Sequence, residues 1–364
     1  MKYDAILLTS FGGPEGPEDV IPFLERVTAG RGIPKERLAE VGTHYSAMGG
    51  VSPINAQNRV LLAAIKEGLA QQDMEIPVYW GNRNSAPFFA DALRQIHADG
   101  RRHVLALVTS AYASYSGCRQ YRENLAQALV ETGLTGSMTI DKIRHYFDHP
   151  GFVEPFTKGL VSALRTLESE GVGTNDIHIF FSTHSIPTSM AESSGPLSLR
   201  SELSEGAYVA QHKASVKCVL EGAQSALNNT LPSWSLVYQS RSGAPHTPWL
   251  EPDIADALKQ AAANGTKAVI VIPIGFVSDH VEVIWDLDNE AKGVADELGL
   301  RFIRVATPGV AKEFVSGIVE LIQERVGSTG RRALSPLGPW PDSCAVGCCP
   351  NPKAELPTVA EVMN

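Results

Sequence analysis

Short apolar runs bounded by polar or glycine positions recur along this chain, and the intervals between them carry helical periodicity. Eight runs read as strands: YDAILLTSF (3–11), IPVYWGNR (76–83), HVLALVTSA (103–111), MTIDKIRHY (138–146), DIHIFFSTHS (176–185), SWSLVYQSR (233–241), KAVIVIPIGF (267–276) and RFIRVATP (301–308). Apolar residues return at helical spacing between them, as in FFADALRQIHADG, FVEPFTKGLVSALRTLESEG and EPDIADALKQAAANG. Apolar runs flanked by helices mark strands buried on both faces, which predicts an α/β fold with doubly wound, Rossmann-type parallel sheets. The four-plus-four grouping predicts two similar lobes, 1–150 and 151–310, with a helix over about 152–171 leading between them. A helix over 311–327 follows. Beyond it, in 328–364, the periodicity stops and six prolines forbid a long helix. A segment of that kind is either disordered or stapled, and three cysteines within six positions favour the staple.

Length and charge narrow the function. A chain of 364 residues exceeds one ordinary core, in keeping with two domains. A formal net charge of −9 with no basic stripe argues against a nucleic-acid binder, yet leaves room for an anionic small molecule held by a few local cations. The opening MKYDAILLTSFGG lacks the pattern of a secretory signal, and no apolar stretch approaches the roughly 20 residues of a membrane span. The expectation is a cytoplasmic protein with no transmembrane segment. Five cysteines suit no disulfide framework there. Cys218, inside the helical pattern QHKASVKCVLEGAQSAL, reads as a packed apolar residue.

In doubly wound folds ligands sit beyond the carboxyl ends of the strands. Polar and catalytic residue types follow the strands here: Ser10-Phe11-Gly12-Gly13, Gly81-Asn82-Arg83, Ser110-Ala111-Tyr112, Ser182-Thr183-His184-Ser185 and Gln239-Ser240-Arg241. The seventh run delivers FVSDHVEVIWDLDNEAK (276–292), whose Glu282, Asp286 and Glu290 recur every four residues and so share a helix face. Like charges at that spacing cost an isolated helix about 0.2–0.5 kcal/mol per pair. No Lys or Arg lies between Asp279 and Glu290 to relieve them. His184 could be a capped turn histidine and the ladder a solvated face. Their shared position at the ligand edge of one lobe favours chemistry. Imidazole accepts protons and binds metals, and carboxylates take hard divalent cations and protons.

At these residues the chain resembles a known family. THSIP, VYQSRSGAPHTPWLEPD, VIPIGFVSDHVEVIWDLD and the opening LLTSFGGPEGPED, with GGVSPIN and GNRN.AP, resemble the ferrochelatases in order from about residue 3 to 327. SYSGCRQY and the cysteine-bearing tail most resemble the actinobacterial coproporphyrin III ferrochelatases. The resemblance implies a chelatase-like fold and insertion of Fe²⁺ into coproporphyrin III, with release of two protons, in haem biosynthesis. It implies His184 and Glu282 as catalytic and metal-guiding residues, with Asp286 and Glu290 along the path of iron or protons. It implies Phe11, Arg31, His44, Tyr45, Ser52 and Tyr121 as porphyrin-binding. His44 stands where firmicute relatives carry an arginine, Phe11 where they carry a tyrosine, and Arg83-Asn84 where they carry a lysine-histidine pair. Transient contact with neighbouring haem-pathway enzymes is a further implication.

The same relatives hold a [2Fe–2S] cluster through one internal and three C-terminal cysteines. By position the ligands here are Cys118, Cys344, Cys348 and Cys349, the right number of thiolates for such a cluster. A Cys₄ zinc site is the main rival. For the whole chain the alternatives are a non-catalytic tetrapyrrole or metal carrier, and a protoporphyrin or cobalt chelatase of the same fold.

Overall fold

The computed structural model describes residues 3–30, 32, 34–242, 246–327 and 329–363. Arg31 lies outside the described residues. Eight strands form two parallel sheets: β1 (Ala5–Ser10), β2 (Val78–Asn82), β3 (His103–Val108) and β4 (Thr139–Lys142), then β5 (Ile177–His184), β6 (Ser233–Gln239), β7 (Ala268–Ile272) and β8 (Arg301–Arg304). The strand orders are β2-β1-β3-β4 and β6-β5-β7-β8, so the two lobes repeat one topology. Every expected strand is present, but the ladders stop short. Of 138–146 only Thr139–Lys142 pairs, and of 301–308 only Arg301–Arg304. The residues beyond turn away from the sheet and become loops at its carboxyl edge.

Alternation explains the layers. In β7, Ala268, Ile270 and Ile272 face one apolar cluster while Val269 and Val271 face another, so helices cover both sides. The first of these clusters runs through both lobes, joining Leu8 and Leu105 to Phe181 and Ile270 by way of Phe152, Phe156 and Leu160 on the helix Pro150–Ser169. Hydrogen bonds reinforce the seam: Tyr112 hydroxyl donates to the Ile274 carbonyl (2.9 Å), and the Ala113 amide to Gln211 Oε1 (2.7 Å). The carboxyl edges of the two sheets therefore face a common cleft.

Three helices between β1 and β2, Pro17–Val27, Lys35–Ala47 and Ile54–Ala70, build one cleft wall. Sequence reading named none of them. The acidic segment also differs from the single helix expected. It is α-helical over Val281–Ile284, π-helical over Trp285–Ala291, and α-helical again over Lys292–Glu297. A second π-helical turn, Tyr115–Arg119, contains Cys118. Single π turns often mark functional sites.

The tail is neither disordered nor held by cysteines alone. Ser335 hydroxyl donates to Asp148 (2.7 Å), Trp340 is 2% exposed against Phe147, and Arg332 pairs with Glu320 (2.7 Å). Fully buried Arg144 forks onto Glu324 (2.8 and 3.1 Å) and also donates to the Arg332 carbonyl (2.6 Å). A short helix, Val359–Val362, opens with a Thr358/Glu361 capping box and buries Val359 in the apolar cluster that includes Leu125 and Leu129.

Candidate functional site

His184 closes β5 because Ile186-Pro187 cannot extend the ladder, and its backbone is held from behind by Tyr208, whose hydroxyl donates to the His184 carbonyl (2.8 Å). On the ring, Nδ1–H donates to the Ser185 carbonyl (2.5 Å). A neutral imidazole has one donor and one acceptor nitrogen, so this bond leaves the Nε2 lone pair facing outward. What it faces is Glu282, with Oε2 3.7 Å away. Both side chains stay accessible, at 34% and 48%. A gap of that length with both groups exposed can admit a cation or a proton-bearing nitrogen between them.

Glycine makes the approach of the two strand ends possible. A Cβ on Gly275 would lie 2.1 Å from Thr183 Oγ1 and 2.9 Å from Thr183 Cα. The exit of β7, which carries the acidic segment, thus passes directly over the residue before His184.

The three ladder carboxylates occupy different surroundings. Glu282 is exposed and faces His184. Glu290 is exposed and accepts from Trp285 Nε1 (2.7 Å). Asp286 is half-buried, with Ser240 hydroxyl and Gln239 Nε2 donating to it, and the Gln239 amide is oriented by Ser182 (2.7 Å). Burial, opposed by the Ser240 bond and aided by the charges of Glu282 and Glu290, pushes its carboxyl up to about 7. Ser240 pays for its aim with a left-handed backbone, φ 59°. His280 is held below the usual imidazole range, chiefly by burial, and stays neutral beside Glu282. The cation absent from the local sequence comes from β8: Arg304 forks onto Asp279 (3.1 Å) and reaches Asp288 (2.6 Å), pinning the back of the segment while the ladder faces the cleft.

The opposite wall is aromatic. Phe11 meets Phe23 edge-on (6.0 Å), and Phe23 meets Tyr45 (5.9 Å). Tyr45 is buried in the same cluster as Val281, so burial and the Glu282 charge both raise its phenol. His44 stacks on Trp285 at 4.2 Å, bridging the two walls. Arg83 lies over both Phe11 (5.5 Å) and Tyr121 (4.9 Å), and its Nε donates to Asn124 (2.9 Å). Ser52 is buried beside Gly13. Phe11, His44, Tyr45 and Tyr121 thus belong to one continuous wall, with Ser52 behind it. Trp285, Gln239 and Ser240 were not chosen from the sequence. The signal was available, since Gln239-Ser240-Arg241 follows β6 at the ligand edge.

The cysteines gather elsewhere. All five are free. Cys118 and Cys344 sulfurs stand 3.6 Å apart, Cys348 and Cys349 3.8 Å apart, and the Gly195 amide donates to Cys349 Sγ (3.1 Å). Further thiol hydrogen bonds link Cys118 to Cys349 and Cys344 to Cys348, and those from Cys118 and Cys348 hold the Cys344 thiol well below its ordinary range. Among the described residues no group of three or more His, Cys, Asp or Glu side chains is gathered as an ion site. The four thiols stand instead as two close pairs in contact. Cys218 is apart from them, packed in the helix Gly206–Leu227.

No helix among the described residues is long and apolar enough to cross a membrane. The ferrochelatase family model matches residues 3–326. The chain is 54% identical over 355 residues, covering 96% of it and 93% of the relative, to a coproporphyrin III ferrochelatase of Streptomyces coelicolor. It is 52% identical over 356 residues, with the same shares covered, to one of Streptomyces griseus. Among solved structures it is similar to the sirohydrochlorin chelatase SirB of Bacillus subtilis in complex with cobalt, at 9% identity and a TM-score of 0.46, covering 88% of this chain and 94% of that one. A match spanning both sheets and the whole cleft, with relatives above half identity over nearly the full length, places the chain in the ferrochelatase family.

Proposed function

We propose that the chain inserts Fe²⁺ into coproporphyrin III to give iron-coproporphyrin, with His184 and Glu282 at the metal-exchange point. The observation that carries the reading is the outward Nε2 of His184 facing Glu282 across 3.7 Å. Metalation removes two pyrrole protons as the dication arrives, so it needs a base and an anionic guide at one place. An imidazole with its acceptor lone pair exposed suits the first role, and an accessible carboxylate the second. Asp286, poised near neutral pH beside Glu282, suits onward proton transfer, with exposed Glu290 as its outlet.

Phe11, backed by buried Tyr45 and Tyr121, offers a face for the macrocycle, and Arg83 and His44 offer donors for propionates; buried Ser52 supports the wall, and Arg31 is a further donor candidate by resemblance. Four propionates call for several separated donors, which favours coproporphyrin III over protoporphyrin IX. The curated relatives named for coproporphyrin III support the same choice. The reaction belongs in the cytoplasm on this reading, and five free cysteines suit a reducing compartment.

For the thiols, a [2Fe–2S] cluster on Cys118, Cys344, Cys348 and Cys349 is the preferred reading. Such a cluster takes four thiolates, and four free thiols gathered in one place supply that number. A single tetrahedral zinc, with its thiolates each roughly 3.8 Å from the next, is the rival for the same four thiols, and counting iron, acid-labile sulfide and zinc separates the two. When bound, the cluster would add a one-electron centre remote from the exchange point.

The deciding experiment is an anaerobic metalation assay with Fe²⁺ and either porphyrin. Efficient use of coproporphyrin III and poor use of protoporphyrin IX is expected. The reverse preference would sink the substrate assignment, and no metalation of either would sink the reaction.

A further inference from the structure

Arg122 stands four residues after Cys118 on a continuous helical run, so the two side chains share a face. It is 8% exposed, and its Nε and Nη2 have no hydrogen-bond partner. A buried guanidinium left in that state is costly unless an anion faces it. The neighbouring carboxylates are engaged elsewhere. Glu123 holds Arg119 (2.8 Å), Tyr115 (3.2 Å) and Asn351 (3.1 Å), and Glu361 accepts from the Thr358 amide while its charge also acts on Arg119 and Arg122 without a hydrogen bond to the latter. What Arg122 does reach electrostatically is all four thiols, and half-buried Lys142, at the end of β4, reaches Cys344, Cys118 and Cys348. Among the described residues Lys142 donates only to the Ile143 carbonyl, at 3.4 Å. His145, 4% exposed with an unpartnered Nε2, is kept neutral by burial and adds no charge. Two cations thus converge on the four-thiol group.

We propose that Arg122 and Lys142 form a cationic cradle for the thiol-bound metal group, balancing its negative charge and thereby setting how firmly it is held and how readily it is reduced. The inference rests on the reading of the four cysteines as cluster ligands. An oxidised [2Fe–2S] group with four thiolates carries net negative charge, and one electron from an external reductant deepens it by one, with no bond broken and no proton released. Nearby positive charge favours the reduced state more than the oxidised one.

The test uses the full chain, purified without oxygen. Iron and acid-labile sulfide are counted, and the visible spectrum is followed during a redox titration with dithionite. Arg122→Gln and Lys142→Gln should each shift the reduced-to-oxidised ratio at fixed potential about tenfold toward oxidised, which is about 59 mV for one electron. Both should also lose metal faster to a chelator. Arg122→Lys, which keeps the charge, should restore most of the ratio, whereas a merely structural role would show no such rescue. Lys142→Gln, at a less buried site, decides the matter if Arg122→Gln fails to fold. Folded variants with wild-type ratio and wild-type retention overturn the cradle while leaving the cluster intact. A wild-type chain that holds no metal overturns the cluster reading and the cradle together. A colourless chain with one zinc overturns the cluster reading, and the cradle then stands or falls on whether Arg122→Gln loses zinc faster.

Discussion

One nitrogen of His184 is tied to the Ser185 carbonyl and the other is left open, an asymmetry that suits the base role proposed for it. His184→Ala should leave the fold intact and lower metalation by 10²–10⁴-fold, the usual loss for a positioned acid–base group. An activity within about twofold of wild type would remove it from the mechanism. Asp286 carries a pH signature. Its carboxyl is raised to about 7 in the fold, while in the unfolded chain it ionises near the ordinary 3.8. Between those values the folded state holds the extra proton, so stability falls as pH rises from about 4 to 7 and then levels. Asp286→Asn should therefore melt higher than wild type at pH 8, by on the order of 2 kcal/mol after allowing for solvent screening, and alike at pH 4. Thermal melts at the two pH values check this, and a gain of equal size at both would refute it. His184 and Glu282 were legible in the sequence because strand-end position and residue type suffice to mark them. The distinct fate of Asp286 was not, since it depends on Ser240 and Gln239 arriving from another strand.

At the scale of elements, strand number, order of appearance and lobe grouping were all readable, because a strand buried on both faces writes a continuous apolar run. The helices Pro17–Val27 and Lys35–Ala47 were not. Lys35–Ala47 buries little beyond Leu38 and Tyr45, so its apolar stripe is thin and leaves little periodicity to find, whereas Pro17–Val27 has a clear apolar face in Val20, Phe23 and Leu24 that sequence reading passed over. The π turn was hidden for a different reason: four-residue spacing of acids reads as an ordinary helix, and only the backbone reveals the wider turn. Gly275 is where two elements constrain each other most tightly. Gly275→Ala would drive a methyl into Thr183, backbone included, and must push apart the ends of β5 and β7. Overpacking of this kind costs roughly 1–3 kcal/mol. Metalation should fall by more than the lost stability explains, because the displaced residues carry His184 on one side and Glu282 on the other. Denaturant melts alongside turnover at a temperature where the variant stays folded would separate the two effects, and full turnover there would show the spacing to be unimportant.

For the whole molecule, the tail is the part the sequence described least well. Its lack of periodicity suggested a single staple, whereas Trp340, the Arg144–Glu324 pair with the Arg332 carbonyl, and the capped helix at Val359–Val362 anchor it independently of the thiols. Cys344→Ser should consequently abolish bound metal yet leave the tail protected from limited proteolysis. Trp340→Ala should cost roughly 3–5 kcal/mol, the range for emptying a buried tryptophan site, and expose the tail while the thiols remain. A tail that becomes protease-sensitive in Cys344→Ser would mean that the thiols, and not the ion pairs and Trp340, hold it.

The sequence separation of 226 between Cys118 and Cys344 also imposes an order in time. Chains are made from the amino terminus at about 5–20 residues per second, and early lobes fold as they emerge. His184, Glu282 and the rest of the cleft are made, and emerge, before Cys344, Cys348 and Cys349. Whatever loads the thiols must therefore meet a protein whose reaction centre is already assembled. A stalled chain with the helix Lys312–Val326 clear of the ribosome and Cys344 still inside it would display the cleft with Cys118 and Cys218 as its emerged cysteines, so a nascent-chain pulse label should find porphyrin affinity appearing before metal in the tail.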